Sequence, residues 1–148
     1  MNEVLFRWEH VVSYAECTVG NHIYYSRYLD ILEKARGEFF RRLGKTLLQW
    51  QADDTAFPVL ECRIKYHAPA RYDDRLKIEV RVTKAEGVRL NFSHAIYRLA
   101  PSQLLVEAET FHVCASLGEK PKRLPGELLR MLSEYGGSAD SDATPERE

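Results

Sequence analysis

The sequence predicts an α+β domain, one long helix wrapped by an antiparallel sheet of about five strands. Two patterns predict it. Across residues 23–43 apolar side chains recur at steps of three and four, the period of a helix with one buried face. Beyond it, residues 59–66, 75–84, 90–99 and 104–117 alternate apolar and polar side chains, the period of strands packed on one side only.

Residues 5–14 alternate loosely, with Phe6, Trp8, Val11 and Val12, and read as a first strand. Gly20-Asn21 breaks it. The long helix then carries Tyr24, Tyr28, Ile31, Leu32, Ala35, Phe39 and Leu43 on its apolar side. Arg27, Asp30, Lys34, Glu38 and Arg41 fall mostly opposite, and Gly44 supplies the stop. Residues 46–52 fit a short second helix or a helical turn, and 53–55 a loop. In the next run Leu60, Cys62, Ile64 and Tyr66 are expected to face inward; in the one after, Leu76, Ile78, Val80 and Val82. Glu86-Gly87 marks a hairpin turn, and Ala100-Pro101-Ser102 a second turn. Leu124-Pro125 opens a last short helix with Leu128, Leu129 and Leu132 as its apolar side. Residues 1–135 are therefore one domain, and 136–148, small, polar and acidic, a disordered tail.

The totals narrow the function. At 148 residues there is room for one core. A net charge of −1 and the absence of a basic-aromatic motif argue against nucleic acid. No apolar run approaches the ~20 residues that span a bilayer. The N-terminus MNEVLFRWEH has no signal-peptide core, so a cytoplasmic protein is expected. Cys17, Cys62 and Cys114 are odd in number and far apart, which fits packed thiols rather than disulfides or zinc. His67, His94 and His112 lack ligand spacing, so no metal and no other cofactor is expected. A single sheet leaves open edges, and edge-to-edge pairing of two copies would close one; a homodimer or tetramer is expected.

The stretch 15–36, AECTVGNHIYYSRYLDILEKAR, carries the candidate chemistry. A turn-forming segment runs into an amphipathic helix, whose first N–H groups and positive dipole end can polarise a carbonyl. Three motifs then resemble the hotdog-fold acyl-CoA thioesterases of the 4-hydroxybenzoyl-CoA thioesterase-like family. GNHIYYSRYLDILEKAR resembles the family's helix start through Gly20, Tyr24, Tyr28, Glu33, Ala35 and Arg36. Tyr66-His67-Ala68-Pro69-Ala70-Arg71-Tyr72-Asp73-Asp74 resembles its Y-x-x-P-A-R-x-x-D connection, and Lys120-Pro121-Lys122-Arg123-Leu124-Pro125 its basic, proline-bearing exit.

The resemblance implies a hotdog fold and hydrolysis of a small or medium acyl or aroyl thioester, delivered by CoA or by a carrier protein. It assigns carbonyl polarisation to the Tyr25 amide. It also exposes a departure: the family's catalytic aspartate position is Thr18 here, and the nearest acid is Glu16. Four side chains are candidates for the remaining work. Glu16 could act as base or nucleophile, or merely cap N–H groups. Glu33 could supply a helix carboxylate, or pair with Arg36 or Arg27. His22 could act as a base, or be an exposed loop residue. Thr18 could orient water or donate to the thioester, or serve as a turn hydroxyl. Cys17 beside a helix start is better read as packed than as a nucleophile. Arg71, Lys120, Lys122 and Arg123 are candidates for CoA phosphates or simply solvated charge. Tyr24, Tyr28, Phe39 and Phe57 could line an acyl tunnel, or be core. Two other functions stay open: a non-catalytic acyl-thioester binding protein, favoured by the missing aspartate, and a hotdog dehydratase pairing His22 with Glu16 or Glu33.

Overall fold

The computed structural model describes residues 3–135. In chain order it comprises β1 (Leu5–Val11), a 3-10 turn (Tyr14–Glu16), the short strands β2 (Cys17–Thr18) and β3 (His22–Ile23), α1 (Arg27–Leu43), α2 (Leu47–Ala52), β4 (Val59–Tyr66), β5 (Arg75–Glu86), β6 (Arg89–Leu99), β7 (Ser102–Val113) and α3 (Gly126–Tyr135). The main sheet has five strands in the order β1-β5-β6-β7-β4, every neighbouring pair antiparallel. The α+β hotdog architecture expected from the sequence is the one observed.

The helical period holds because α1 lays one face on the sheet, burying Tyr28, Ile31, Leu32, Ala35, Phe39 and Phe40. Opposite lie Leu76, Ile78 and Val80 of β5 and Leu90, Phe92 and Ile96 of β6, all 0–1% exposed. Phe39 is the hub, its ring 5.6 Å from Phe6, 6.3 Å from Phe92 and 5.6 Å from Tyr135. Phe39 thus belongs to the core rather than to a tunnel. Phe57 stacks on Phe40 at 5.3 Å and is likewise a core-side ring.

Boundaries shift where side chains or backbone groups are claimed by something else. The first strand ends at Val11, since the Ser13 N–H turns to the Glu16 carboxylate 2.8 Å away and starts the 3-10 turn. The long helix begins at Arg27 rather than residue 23: the Ile23 N–H is already bonded to the Ala70 carbonyl at 2.9 Å, and Ile23 pairs with Cys17. Gly44 caps α1 with φ 112°, as its stop signal implies. β7 runs from Ser102 to Val113 and not to residue 117, because the Cys114 N–H leaves β6 for the Val88 carbonyl. On α3, Leu128 and Leu132 are buried while Leu129 is 41% exposed, so Leu129 is not part of its apolar side. The tail 136–148 lies outside the described residues.

The largest departure is β4. It keeps the expected bounds but not the burial: Leu60 is 56% exposed, Tyr66 is 44% exposed, Cys62 is exposed and Ile64 half-buried. Cys62 is therefore not a packed thiol, whereas Cys114 is buried and Cys17 half-buried. β4 is the sheet edge beyond β7, and α1 packs over β5 and β1.

Under α1 sits a small polar island. The Arg36 guanidinium donates to His94 Nε2 at 3.4 Å. His112 donates from Nδ1 to the Phe57 carbonyl and accepts the Thr110 hydroxyl on Nε2, both at 2.9 Å. Accepting on Nε2 requires both imidazoles to be neutral. Burial first, and then Arg36, hold His94 down to about 3 and His112 to about 4. An unfolded histidine titrates near 6.5. As pH falls below that value the unfolded chain takes up protons that the native state refuses, so stability declines as pH drops from about 6.5 toward 4 and 3. Urea midpoints are expected to be lower at about pH 5 than at pH 7, with no contribution from this pair between pH 7 and 8.

Candidate active site

The segment between β1 and α1 is held as a short ribbon. β2 and β3 pair Cys17 with Ile23 and Thr18 with His22, and Gly20 and Asn21 turn between them with φ 97° and 59°. Both values lie in the left-handed region that glycine and asparagine tolerate best. Asn21 is fixed from outside: its side-chain oxygen accepts the Tyr72 N–H at 3.1 Å and its carbonyl the Arg71 guanidinium at 3.3 Å. The Pro-Ala-Arg motif acts as a splint. The Ala70 N–H donates to the Tyr28 hydroxyl at 3.1 Å, and the Ala70 carbonyl receives the Ile23 N–H at 2.9 Å.

At the end of this ribbon, Tyr24 donates its N–H to the Glu16 carbonyl at 3.2 Å, and Arg27 and Tyr28 donate to the carbonyls of Tyr24 and Tyr25. The Tyr25 N–H between them meets no acceptor among the described residues. It lies at the start of α1, where the helix dipole adds positive potential. Beside it opens a cavity of about 500 Å³ lined by Thr18, His22, Ile23, Tyr24, Tyr25, Tyr28, Tyr66, His67, Ala68 and Pro69. Its wall is largely aromatic: Tyr24 and Tyr25 have ring centres 4.8 Å apart, and Tyr66 lies 5.5 Å from Tyr28 and 6.4 Å from Tyr25. The Tyr66 hydroxyl donates to the Tyr25 carbonyl at 3.1 Å, tying the end of β4 to the start of α1.

The expected site residues divide. Thr18, His22, Tyr24, Tyr25 and Tyr28 come together around this cavity. Thr18 and His22 are cross-strand partners, which places their Cβ atoms about 5 Å apart. Glu16 and Glu33 line a neighbouring cleft with Ser13, Ala15, Arg27, Asp30 and Lys34. The Glu16 carboxylate is already engaged, with both oxygens 2.9 Å from His10 Nε2. Burial would raise its pKa, but the Ser13 N–H and His10 together hold it below the usual carboxylate range. Cys17 lacks the thiolate character of a nucleophile: burial, with Glu16 and Asp74 nearby, pushes its thiol up.

Of the four basic candidates, Arg71 borders the ribbon through Asn21. Lys122 is elsewhere, donating to the Asp54 carbonyl at 2.8 Å, and its N–H returns to Cys114 just past β7. Lys120, Lys122 and Arg123 thus sit beyond the Val59 end of β4, whereas the cavity opens at the Tyr66 end, about 23 Å away along the strand. Sequence patterning singles out neither Tyr66 as a wall of the cavity nor His10 as the partner of Glu16. His10 does continue the inward row Phe6, Trp8 of β1; Tyr66 carries no signal that separates a pocket wall from a core strand.

A family model described as the thioesterase-like superfamily matches residues 12–132. The chain belongs to this superfamily. A relative within reach of the superfamily's sequence signal, the acyl-CoA thioester hydrolase YbgC of Escherichia coli O6:H1, is 36% identical over 130 residues, covering 87% of this chain and 96% of its own. The solved structure of a 1,4-dihydroxy-2-naphthoyl-CoA thioesterase from Synechocystis superposes with a TM-score of 0.82 at 26% identity, over 88% of this chain and 96% of its own. A hypothetical protein from Thermus thermophilus superposes with a TM-score of 0.81 at 30% identity, over 88% and 98%. In this thioesterase-like chain the framework of the helix start is kept while Thr18 occupies the aspartate position of the resemblance.

Gly20 tests how tightly the ribbon is built. A methyl group there would stand 3.3 Å from His22 Nε2 and in a strained φ. Gly20→Ala is expected to lower stability by about 1 kcal/mol, read from urea midpoints.

Proposed function

We propose that this chain hydrolyses the thioester of a small or medium acyl or aroyl CoA, or of an acyl carrier, to the free acid and the thiol. Relatives named acyl-CoA thioester hydrolases support the activity. The observation that carries it on this chain is the unbonded Tyr25 N–H at the mouth of the tyrosine-lined cavity. In the proposed reaction the thioester carbonyl oxygen accepts that N–H, and the helix start stabilises the charge that builds on it. A water held between the Thr18 hydroxyl and the His22 imidazole adds to the carbonyl carbon. His22 receives the water's proton and delivers it to the departing sulfur as the C–S bond breaks. Glu33, on the neighbouring cleft, is the reserve carboxylate of this reading. The expected compartment is the cytoplasm; among the described residues no helix is long and apolar enough to cross a membrane.

One observation favours a second reading. Threonine cannot supply a carboxylate, which fits a protein that binds acyl thioesters without hydrolysing them. Thiol release from a panel of aliphatic and aromatic acyl-CoAs separates the two. The hydrolase reading expects turnover by the parent, a loss in Thr18→Val and a gain of about 100-fold in Thr18→Asp, the scale of a positioned general base. Saturable binding with no thiol release by the parent, and turnover appearing only in Thr18→Asp, would establish the binding protein.

We also propose that two copies pair through their β4 edges. Cys62, Ile64 and Tyr66 point to the helix side, yet the described chain covers them only in part: Tyr66 is 44% exposed, Cys62 is exposed and Ile64 half-buried. Antiparallel pairing of β4 with its copy sets the Val59 end of one beside the Tyr66 end of the other. It thereby brings the basic trio of one copy toward the cavity of its mate, where CoA phosphates need cations. Ile64→Arg is expected to halve the mass seen by sedimentation and to raise KM for acyl-CoA; an unchanged mass would count against this face.

A further inference from the structure

We propose that Glu16 and His10 form a positioning pair that holds the Tyr25 amide in place, and that Glu16 does not act as the base. The inference rests on the hydrolase reading above and assigns a task to two side chains which that reading leaves unused. Both side chains are largely shielded, 11% exposed for Glu16 and 13% for His10. His10 stands at the inward end of β1, its ring stacked on Trp8 at 5.6 Å. Its Nε2 meets both carboxylate oxygens of Glu16 at 2.9 Å, and the Ser13 N–H donates to one of them at 2.8 Å. A carboxylate so engaged is anchored at the sheet, and it lines the cleft beside Arg27, Asp30 and Lys34 rather than the tyrosine-lined cavity.

The main chain of the same residue completes the link. The Glu16 carbonyl accepts the Tyr24 N–H at 3.2 Å, and Tyr24 directly precedes the unbonded N–H of Tyr25. Glu16 is thus bonded through its side chain to β1 and through its backbone to the last residue before the proposed oxyanion donor. Releasing the carboxylate frees the 3-10 turn, and with it the carbonyl that fixes Tyr24. A misplacement on the scale of 1 Å at such a donor costs about 100-fold in rate. His10 and Glu16, six positions apart, reach each other from the end of β1 to the 3-10 turn, a contact that neither helical nor strand periodicity encodes.

The test compares Glu16→Ala, Glu16→Gln, His10→Phe and the double variant His10→Phe/Glu16→Ala. Positioning predicts a kcat loss of about 10- to 100-fold in Glu16→Ala and in His10→Phe, with KM nearly unchanged. The double variant loses no more than either single one, since both break one link. Glu16→Gln keeps kcat within about threefold: its amide oxygen still accepts the Ser13 N–H, and neutral His10 can accept the amide N–H by changing tautomer. If Glu16 is instead the base, Glu16→Gln falls as far as Glu16→Ala while His10→Phe stays near the parent, and the proposal is wrong. It is equally wrong if kcat per folded molecule is constant and only Tm drops. Amide hydrogen exchange at Tyr24 supplies a readout independent of turnover. Its protection is expected to fall about tenfold in Glu16→Ala and His10→Phe but not in Glu16→Gln; equal protection in all of them would overturn the link. A parent that releases no thiol would sink the hydrolase reading alone, and the exchange data would still decide whether the pair holds the helix start.

Discussion

One helix is too narrow for the sheet it covers. An α-helix with its side chains is about 10 Å across, while five strands at about 4.8 Å spacing extend over roughly 19 Å. α1 settles over β5 and β1 and leaves the β4 side open. The cavity exists because of that mismatch: it occupies the angle between the start of α1 and the uncovered end of β4, roofed by tyrosines from both. The open edge and the open pocket have one geometric origin, which is why the proposed pairing of copies and the proposed chemistry meet at the same strand.

The chemistry divides between backbone and side chain. In the proposed reaction, carbonyl polarisation needs only the Tyr25 N–H, whose position follows from the turn, the ribbon and the first turn of α1. Such a donor persists through any side-chain change that leaves the path of the chain intact. Water activation depends on side-chain identity, and here Thr18 breaks with the resemblance. The polar island under α1 makes the same division in another way. Arg36 and His94 share one bond, and the imidazole Nδ1 meets no hydrogen-bond partner among the described residues, a costly arrangement for the core that the surrounding Phe92 and His112 rings enclose.

How far the sequence could be read follows from what kind of force sets each feature. Alternation and helical period report burial, and they gave α1, α2 and all five main strands with ends displaced by a few residues. The start of α1 was misplaced because Tyr24 lies four residues before Tyr28 and mimics another helical turn, whereas the Ile23 N–H is held by Ala70 from across the fold. For β4 the alternation was right while the described chain leaves its apolar row partly open; in the proposed pair, a second copy would supply the cover. Cavity-lining residues were legible where a motif fixed the main chain, at Thr18, Tyr25 and Tyr28. Placement was illegible where a single side-chain contact decides, as with His10, or where position along a strand decides, as with Lys120, Lys122 and Arg123.

The Ala70 peptide has a further consequence. Its N–H and its carbonyl are both taken, by Tyr28 on α1 and by Ile23 on the ribbon, and its side chain is fully buried. The loop after β4, the ribbon and the helix start are therefore tied to one another through one amide. A flexible lid would have to lose conformational entropy each time a ligand docked, and affinity would be reduced by that amount. In this fold those bonds form when the chain folds, so a thioester would meet the proposed donor in a framework whose neighbours on both sides are already hydrogen-bonded.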